Sequence, residues 1–261
     1  MPKIRNKRKK APVWVSQNFL TSYKTINRII RKTTLSNYDH VIEIGPGKGH
    51  ITRNLVKCCK YVSAIEIDGR LYNKLKDKFK HTDNVKLYRY DFLKWKLPKS
   101  GDYKVFSNIP FCITTSIVKK LTECKNAPVE TWLIMEKGAA KRFMGKPSES
   151  LRSLLLKPKF DVNIIYYFNQ HDFHPKPGVD VVLFHIKKKP QPDIPFNQWK
   201  AYEHFITAAF KHGLRSLFTQ NQLIRAFHIA GIENDATPSE ILYIQWLCLF
   251  RCYRIYVLNR K

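Results

Sequence analysis

The sequence predicts a doubly wound α/β domain followed by a small helical domain. Three observations predict it. Apolar strand-like segments alternate with helix-like segments up to about residue 136, the order that builds a parallel sheet covered on both faces. After about residue 150, two strand-like segments with a short connection suggest an antiparallel pair. Lys189-Pro190-Gln191-Pro192, with Pro195, then reads as a linker into three helix-like segments. A length of 261 residues suits one large or two smaller domains, and 44% apolar side chains are ample for a core. The expected divisions are a basic arm over 1–12, the α/β domain over 13–189 and the helical domain over 190–261.

The elements follow in order. A lead-in loop over 13–20 precedes a helix carrying Ile26, Ile29 and Ile30. Residues 40–45 (HVIEIG) form a short apolar run ending in glycine, the first strand, and 51–59 look helical. Residues 61–68 (YVSAIEID) are the second strand. Residues 70–80 form an amphipathic helix with Leu71, Leu75 and Phe79 on one face. Residues 85–93 and 103–108 read as strands three and four, 113–124 as a helix and 131–136 as strand five. A helix over 151–156 and strands over 162–168 and 179–187 complete the domain. Helices over 198–211, 214–230 and 239–251 follow, with Pro238-Ser239 opening the last.

Charge narrows the partner. Lys and Arg number 47 against 20 Asp and Glu, a formal net charge of +27. Such a field argues for a polyanion, most often nucleic acid. The excess is densest at Lys3, Arg5, Lys7, Arg8, Lys9 and Lys10, an arm too short and too free of apolar residues for a signal peptide. No run approaches 18 apolar residues, so no membrane-spanning helix is expected. The six cysteines form no CxxC pair, which argues against a metal site and for free thiols in a reducing, cytoplasmic setting.

The first candidate site is Glu43-Ile44-Gly45-Pro46-Gly47-Lys48-Gly49, after the first strand and before a helix. Glycines there allow a sharp turn and close approach of a ligand to backbone. Glu66 closes the second strand, 21 residues after Gly45, where an acid grips ribose hydroxyls in dinucleotide-type folds. A dinucleotide loop wants G-x-G-x-x-G, and His50 stands where the third glycine would be. The E-x-G-x-G-x-G spacing instead resembles motif I of S-adenosylmethionine methyltransferases. Asp91, at the end of strand three, suits an adenine amino group, and Asn108 ends strand four at the carboxyl edge where ligands bind. Gln17-Asn18-Phe19-Leu20 is placed to fold over the cofactor.

The second candidate is Asn108-Ile109-Pro110-Phe111. A methyl sulfonium is already activated, so the chemistry needs in-line placement of a nitrogen rather than a strong base or metal. Adenine N6 is a weak nucleophile because its lone pair is delocalised. The Asn108 side-chain oxygen and a carbonyl near Ile109 or Pro110 are suited to hold its hydrogens, with Pro110 stiffening the turn. Phe111 suits stacking on a flipped base, and Phe173 is a candidate for the opposite face or for loop packing.

These residues resemble the rRNA adenine N6-methyltransferase family, which contains the Erm macrolide-resistance enzymes and the small-subunit rRNA dimethyladenosine transferases. The matching segments are QNFL at 17–20, EIGPGKG at 43–49, AIEID at 64–68, YDFL at 90–93, SNIPF at 107–111, MEKGAAKRF at 135–143 and FHPKPGVD at 173–180. SNIPF, MEKGAAKRF and the late segment FKHGLRSLFTQNQL favour the Erm branch. That late segment lacks the Arg-Arg-Lys run expected of the small-subunit branch. The resemblance implies a Rossmann-like S-adenosylmethionine-dependent methyltransferase domain with a C-terminal helical RNA-binding domain. It implies a monomeric cytoplasmic enzyme making N6-mono- or dimethyladenine at one adenine in the peptidyl-transferase loop of 23S rRNA, protein-free or early in assembly. Such methyl groups obstruct macrolide, lincosamide and streptogramin B binding. Cofactor contacts carry over to Asn18, Leu20, Gly45, Glu66, Asp91 and Asn108. Most Erm-like sequences have tyrosine where Phe111 stands, so the ring face is kept and a hydroxyl is lost.

RNA contacts are expected from the arm, Lys137, Lys141 and Arg142, and the Lys187–Lys189 run. A small-subunit rRNA dimethyltransferase is the alternative enzyme. A non-enzymatic transcription-factor relative is disfavoured by the complete set Gly45, Gly47, Glu66, Asp91 and Asn108. A DNA adenine methyltransferase more typically carries D-P-P-Y in place of Asn108–Phe111.

Overall fold

The computed structural model describes residues 18–233 and 235–258. The basic arm, most of the lead-in loop and Gln17 lie outside them. The chain divides into two compact units. One comprises the described residues up to Pro128 with Trp132–Met135 and Tyr166–Leu183; the other comprises Val129–Thr131, Glu136–Ile165 and the described residues from Phe184 onward.

In the first unit, β1 (Phe19–Leu20) leads into α1 (Tyr23–Ile30), started by Ser22, whose hydroxyl accepts from the Thr25 N–H. Ile26 and Ile29 are buried. Then come β2 (His40–Ile44), α2 (Thr52–Cys58), β3 (Tyr61–Glu66), α3 (Gly69–Lys78), β4 (Val85–Arg89), β5 (Lys104–Asn108) and α4 (Thr114–Thr122). β2 is parallel to β3 and to β5, and β3 is parallel to β4. The register sets Ile44 beside Ile65, Ile42 beside Val105 and Glu66 beside Arg89. Strand ends therefore share one carboxyl edge, where Gly45, Glu66 and Asn108 emerge. β2, β3 and β5 are buried and mainly apolar on both faces, as a sheet covered by helices requires, with Glu43, Ser63, Glu66 and Ser107 the buried polar residues among them.

β6 (Glu130–Glu136), β7 (Phe160–Tyr167) and β9 (Val181–Lys188) complete a seven-stranded sheet of order β4-β3-β2-β5-β6-β9-β7. The Phe168 N–H donates to the Val181 carbonyl and the Lys189 N–H to the Lys159 carbonyl, the antiparallel pairing expected of the last two strands. β8 (Phe173–His174) pairs antiparallel with β1 in a separate two-stranded ladder.

The second unit adds α5 (Lys137–Met144), α6 (Leu151–Leu156), α7 (Trp199–His212), α8 (Gln220–Ala230) and α9 (Tyr243–Tyr256). Phe205, Tyr202, Trp246 and Phe250 are buried together, with ring centroids 5.2–5.9 Å apart. Trp246 is thus core. Tyr243 packs partly buried against that core and donates its hydroxyl to Asp193 at 2.6 Å.

Several boundaries shift. β4 stops at Arg89 because Asp91 closes a turn, its carboxylate accepting from the Leu93 N–H. α8 starts at Gln220 rather than Leu214, because Gly213 at φ +80° and a short 3-10 turn interrupt it and Thr219 caps the next helix. α9 starts at Tyr243 rather than Ser239, because Thr237 is tied to Glu240 in a turn of its own. Helix α5, unread in the sequence, follows β6 with no intervening loop.

Candidate active site

The loop after β2 is built from backbone. Gly45, Gly47 and Gly49 have φ of +63°, +59° and +71°, a region other residues rarely adopt. A Cβ on Gly47 would lie 2.6 Å from the Phe19 ring, so this glycine lets Phe19 close over the loop. A Cβ on Gly45 would meet nothing within 4 Å, leaving open space at the loop's first glycine. Glu66 is fully buried and locks the loop to β3. Its Oε2 accepts from the Gly47 N–H at 3.0 Å and its Oε1 from the Asp68 N–H at 2.9 Å. Burial raises its pKa, opposed by those two amide hydrogen bonds.

One support of this loop carries no role in the sequence reading. Lys78, at the end of α3, donates through Nζ to the carbonyls of Lys48 at 2.8 Å and Gly49 at 3.3 Å. Only the fold brings it there, 30 residues on. Glu43 is buried in β2, its Oε2 without a hydrogen-bond partner among the described residues. Burial pushes its pKa up to about 8. Glu43 is the first residue of the loop segment singled out in the sequence, and it lies in an otherwise apolar strand.

The turn after β5 is built from side chains on a pinned backbone. Ser107 donates to the Ile44 carbonyl, fastening β5 to the start of the glycine loop. The Ile109 N–H donates to the Ile134 carbonyl at 3.2 Å. Asn108 Nδ2 donates to the Asn18 carbonyl at 2.7 Å, so Oδ1 is the atom of that amide left to accept from a ligand. The Pro110 carbonyl accepts from Ile113 in a 3-10 turn, leaving the Ile109 carbonyl as the better-placed backbone acceptor. Phe111, half-buried, opens that turn.

Asn18, Phe19, Gly45 and Asn108, Ile109, Pro110 and Phe111 line one cleft. The structure thus brings together most of the residues read from the sequence. Leu20 is buried in β1, next in chain to Phe19. Glu66 joins the site through the Gly47 amide. Asp91 sits one residue past Tyr90, whose N–H donates to the Glu66 carbonyl. Phe173 is corrected from platform to packing: it is 3% exposed, its ring lies 5.4 Å edge-on to Phe168, and its strand pairs with Leu20. Lys141 and Arg142 are exposed on α5. Lys189 is held by Asp193 at 2.6 Å, which leaves Lys187 and Lys188 as the exposed cations of that run.

The chain matches the ribosomal RNA adenine dimethylase family over residues 7–254. It belongs to that family. It is 37% identical to an rRNA adenine N-6-methyltransferase of Limosilactobacillus reuteri over 241 residues, covering 92% of this chain and 96% of the relative. A Staphylococcus aureus relative of the same description is 38% identical over the same shares. Among solved structures, the 23S rRNA methyltransferase ErmE is similar at a TM-score of 0.83 and 25% identity, over 90% of this chain and 99% of that one. A dimethyladenosine transferase from Plasmodium falciparum shares the fold at a TM-score of 0.65 and 23% identity, over 92% and 88%. The family resemblance and the methyltransferase fold read from the sequence are borne out. The protein is an enzyme that methylates rRNA adenine at N6. No helix among the described residues is long and apolar enough to cross a membrane.

Proposed function

We propose that this chain transfers methyl groups from S-adenosylmethionine to N6 of one adenine in the peptidyl-transferase loop of 23S rRNA. The observation that carries the mechanism is the Asn108 amide. Nδ2 is committed to the Asn18 carbonyl, and Oδ1 is left as an acceptor in a cleft lined by the first glycine of the loop.

The residues present fit such a cofactor, because Gly45 leaves open space and Glu66 holds the Gly47 amide of the loop. When bound, S-adenosylmethionine would supply a methyl group on a sulfonium, with a neutral thioether as the leaving group and the displaced N6 proton passing to water. Asn18, Leu20, Gly45, Glu66, Asp91 and the Asn108 backbone would hold it. Asn108 Oδ1 and the Ile109 carbonyl accept the two N6 hydrogens and draw the nitrogen toward a pyramidal shape. Pro110 fixes the turn that aims them. Phe111 stacks on the base once it leaves its helix or loop, returning about 1–3 kcal/mol toward unstacking. No side chain acts as a strong base, because placement does most of the work.

Two observations favour 23S rRNA over the small subunit. The likeness to ErmE exceeds that to the dimethyladenosine transferase. Lys211-His212-Gly213-Leu214-Arg215 lacks the basic run of the small-subunit branch, and Gly213 there ends α7. The same reading makes the enzyme cytoplasmic and monomeric, gives the helical C-terminal segment an RNA-docking role, and gives its product resistance to macrolides, lincosamides and streptogramin B.

The test is methyl transfer from radiolabelled S-adenosylmethionine to protein-free 23S rRNA, to large subunits and to small subunits, with the modified base mapped by primer extension. Label at a single peptidyl-transferase-loop adenine of free 23S rRNA is expected. Label confined to the small subunit would overturn the substrate assignment.

A further inference from the structure

We propose that a lysine groove on the first unit binds the RNA strand flanking the target adenine, through its phosphodiester backbone. The proposal rests on the rRNA-methylating reading above and names a surface that this reading leaves unassigned. One wall is the loop carrying Lys94, Lys96 and Lys99; the other is the C-terminal end of α4 with Lys120 and Lys125.

Among the described residues that line it, none is acidic. Lys94, Lys96, Lys99 and Lys125 are exposed and make no ion pair with any described residue. Like charges held within a Debye length of about 8–10 Å repel one another, so folding gains nothing from gathering them. A polyanion reverses the sign of that repulsion. By contrast, Lys119, beside the groove on α4, is paired with Glu123 at 3.6 Å.

The walls are tied to each other rather than splayed. Lys120 Nζ donates to the Leu93 carbonyl at 3.0 Å. Asn126 Nδ2 donates to the carbonyls of Pro98 and Gly101, and its own carbonyl accepts from the Tyr103 hydroxyl. Trp95 lies in the groove with its ring held edge-on to Tyr88 at 5.6 Å. Cations tracking a backbone, interleaved with an aromatic ring, are the composition of single-strand sites. Helix α4 leads from the active turn to the groove. α4 begins three residues after Phe111, and Lys120 is about 9 Å along it from Thr114 at 1.5 Å per residue.

The test compares two full-length quadruple variants with the wild type. One is Lys94→Gln/Lys96→Gln/Lys99→Gln/Lys125→Gln. The other removes the same charge elsewhere on this unit, by Lys57→Gln/Lys60→Gln/Lys74→Gln/Lys76→Gln. Binding of a peptidyl-transferase-loop RNA hairpin is measured across a salt series. If methyl mapping assigns another rRNA, a hairpin from that site replaces it, so failure of the substrate assignment is seen separately. The log–log slope of wild-type affinity should flatten by about 1.4–2.8 in the groove variant, corresponding to two to four lost phosphates at about 0.7 each. Affinity near physiological salt should fall at least about tenfold, with methyl transfer at saturating RNA retained. The double variant Lys96→Gln/Lys99→Gln substitutes if the quadruple does not fold, with half the change. An unchanged slope in the groove variant, an equal change in the control variant, or a wild type that binds neither hairpin overturns the proposal.

Discussion

Along the carboxyl edge of the sheet, the loop after β2 works through backbone and the turn after β5 through side chains. The glycine loop has no side chain of its own in the cleft except where Phe19 covers it from another element. Its shape comes from three positive φ angles and is held by Glu66 and Lys78 from neighbouring strands and helices. The Asn108 turn has ordinary dihedrals and presents an amide and an aromatic ring. The difference teaches a division of labour: damage to the loop should appear as lost cofactor affinity, and damage to the turn as lost transfer with the cofactor still bound.

The largest effect should come from the turn. Asn108→Ala removes the Oδ1 acceptor, and transfer should fall by about 10²–10³ or more, the scale for losing one positioned hydrogen-bond partner of a transition state. Loss of the Asn18 contact should weaken cofactor binding far less. Next is Gly47→Ala, which sets a Cβ against the Phe19 ring and strains a left-handed residue. Cofactor affinity by calorimetry should drop about tenfold to a hundredfold, and Phe19→Ala in the same chain should recover part of it.

Phe111→Ala should lower kcat/KM on RNA by about five- to a hundredfold, the range of 1–3 kcal/mol of stacking, whereas Phe111→Tyr keeps the ring and should stay within about threefold. Lys78→Met should weaken cofactor binding a few-fold without changing the transfer rate at saturation, because its contacts are to loop carbonyls near the surface. The smallest effect is on stability. The Glu43 pKa is raised in the folded protein, so the fold gains from its proton below the ordinary glutamate value and loses that gain as pH rises through about 8. Glu43→Gln removes this dependence. Relative to wild type, its Tm should improve by several °C between pH 5 and pH 9, at about 2–4 °C for each ~1 kcal/mol of linked stability.

The strands of the large sheet and the two catalytic-edge segments were legible because each is local. HVIEIG, YVSAIEID and SNIPF announce a strand and its terminating turn within a few residues. What could not be read depends on pairing across long separations. The sequence left Phe173 open between a base platform and loop packing; it is buried because two-residue strands at Phe19–Leu20 and Phe173–His174 find each other, and so short a ladder leaves no periodicity. Lys78 reached the loop through the packing of α3, invisible in a run of alternating lysines. Other misses were avoidable. Thr219 and Gln222 are a capping box that marks the true start of α8, three residues apart in plain sight. The Asp91-Phe92-Leu93 run was read as strand although aspartate commonly closes turns.

The most direct test measures cofactor Kd and single-turnover methyl transfer together in Asn108→Ala and Gly47→Ala. The account predicts opposite patterns: near wild-type Kd with transfer lost in the first, and weakened Kd with transfer restored by excess cofactor in the second. Full-rate transfer in a folded Asn108→Ala protein, or the same loss of affinity in both, would contradict it.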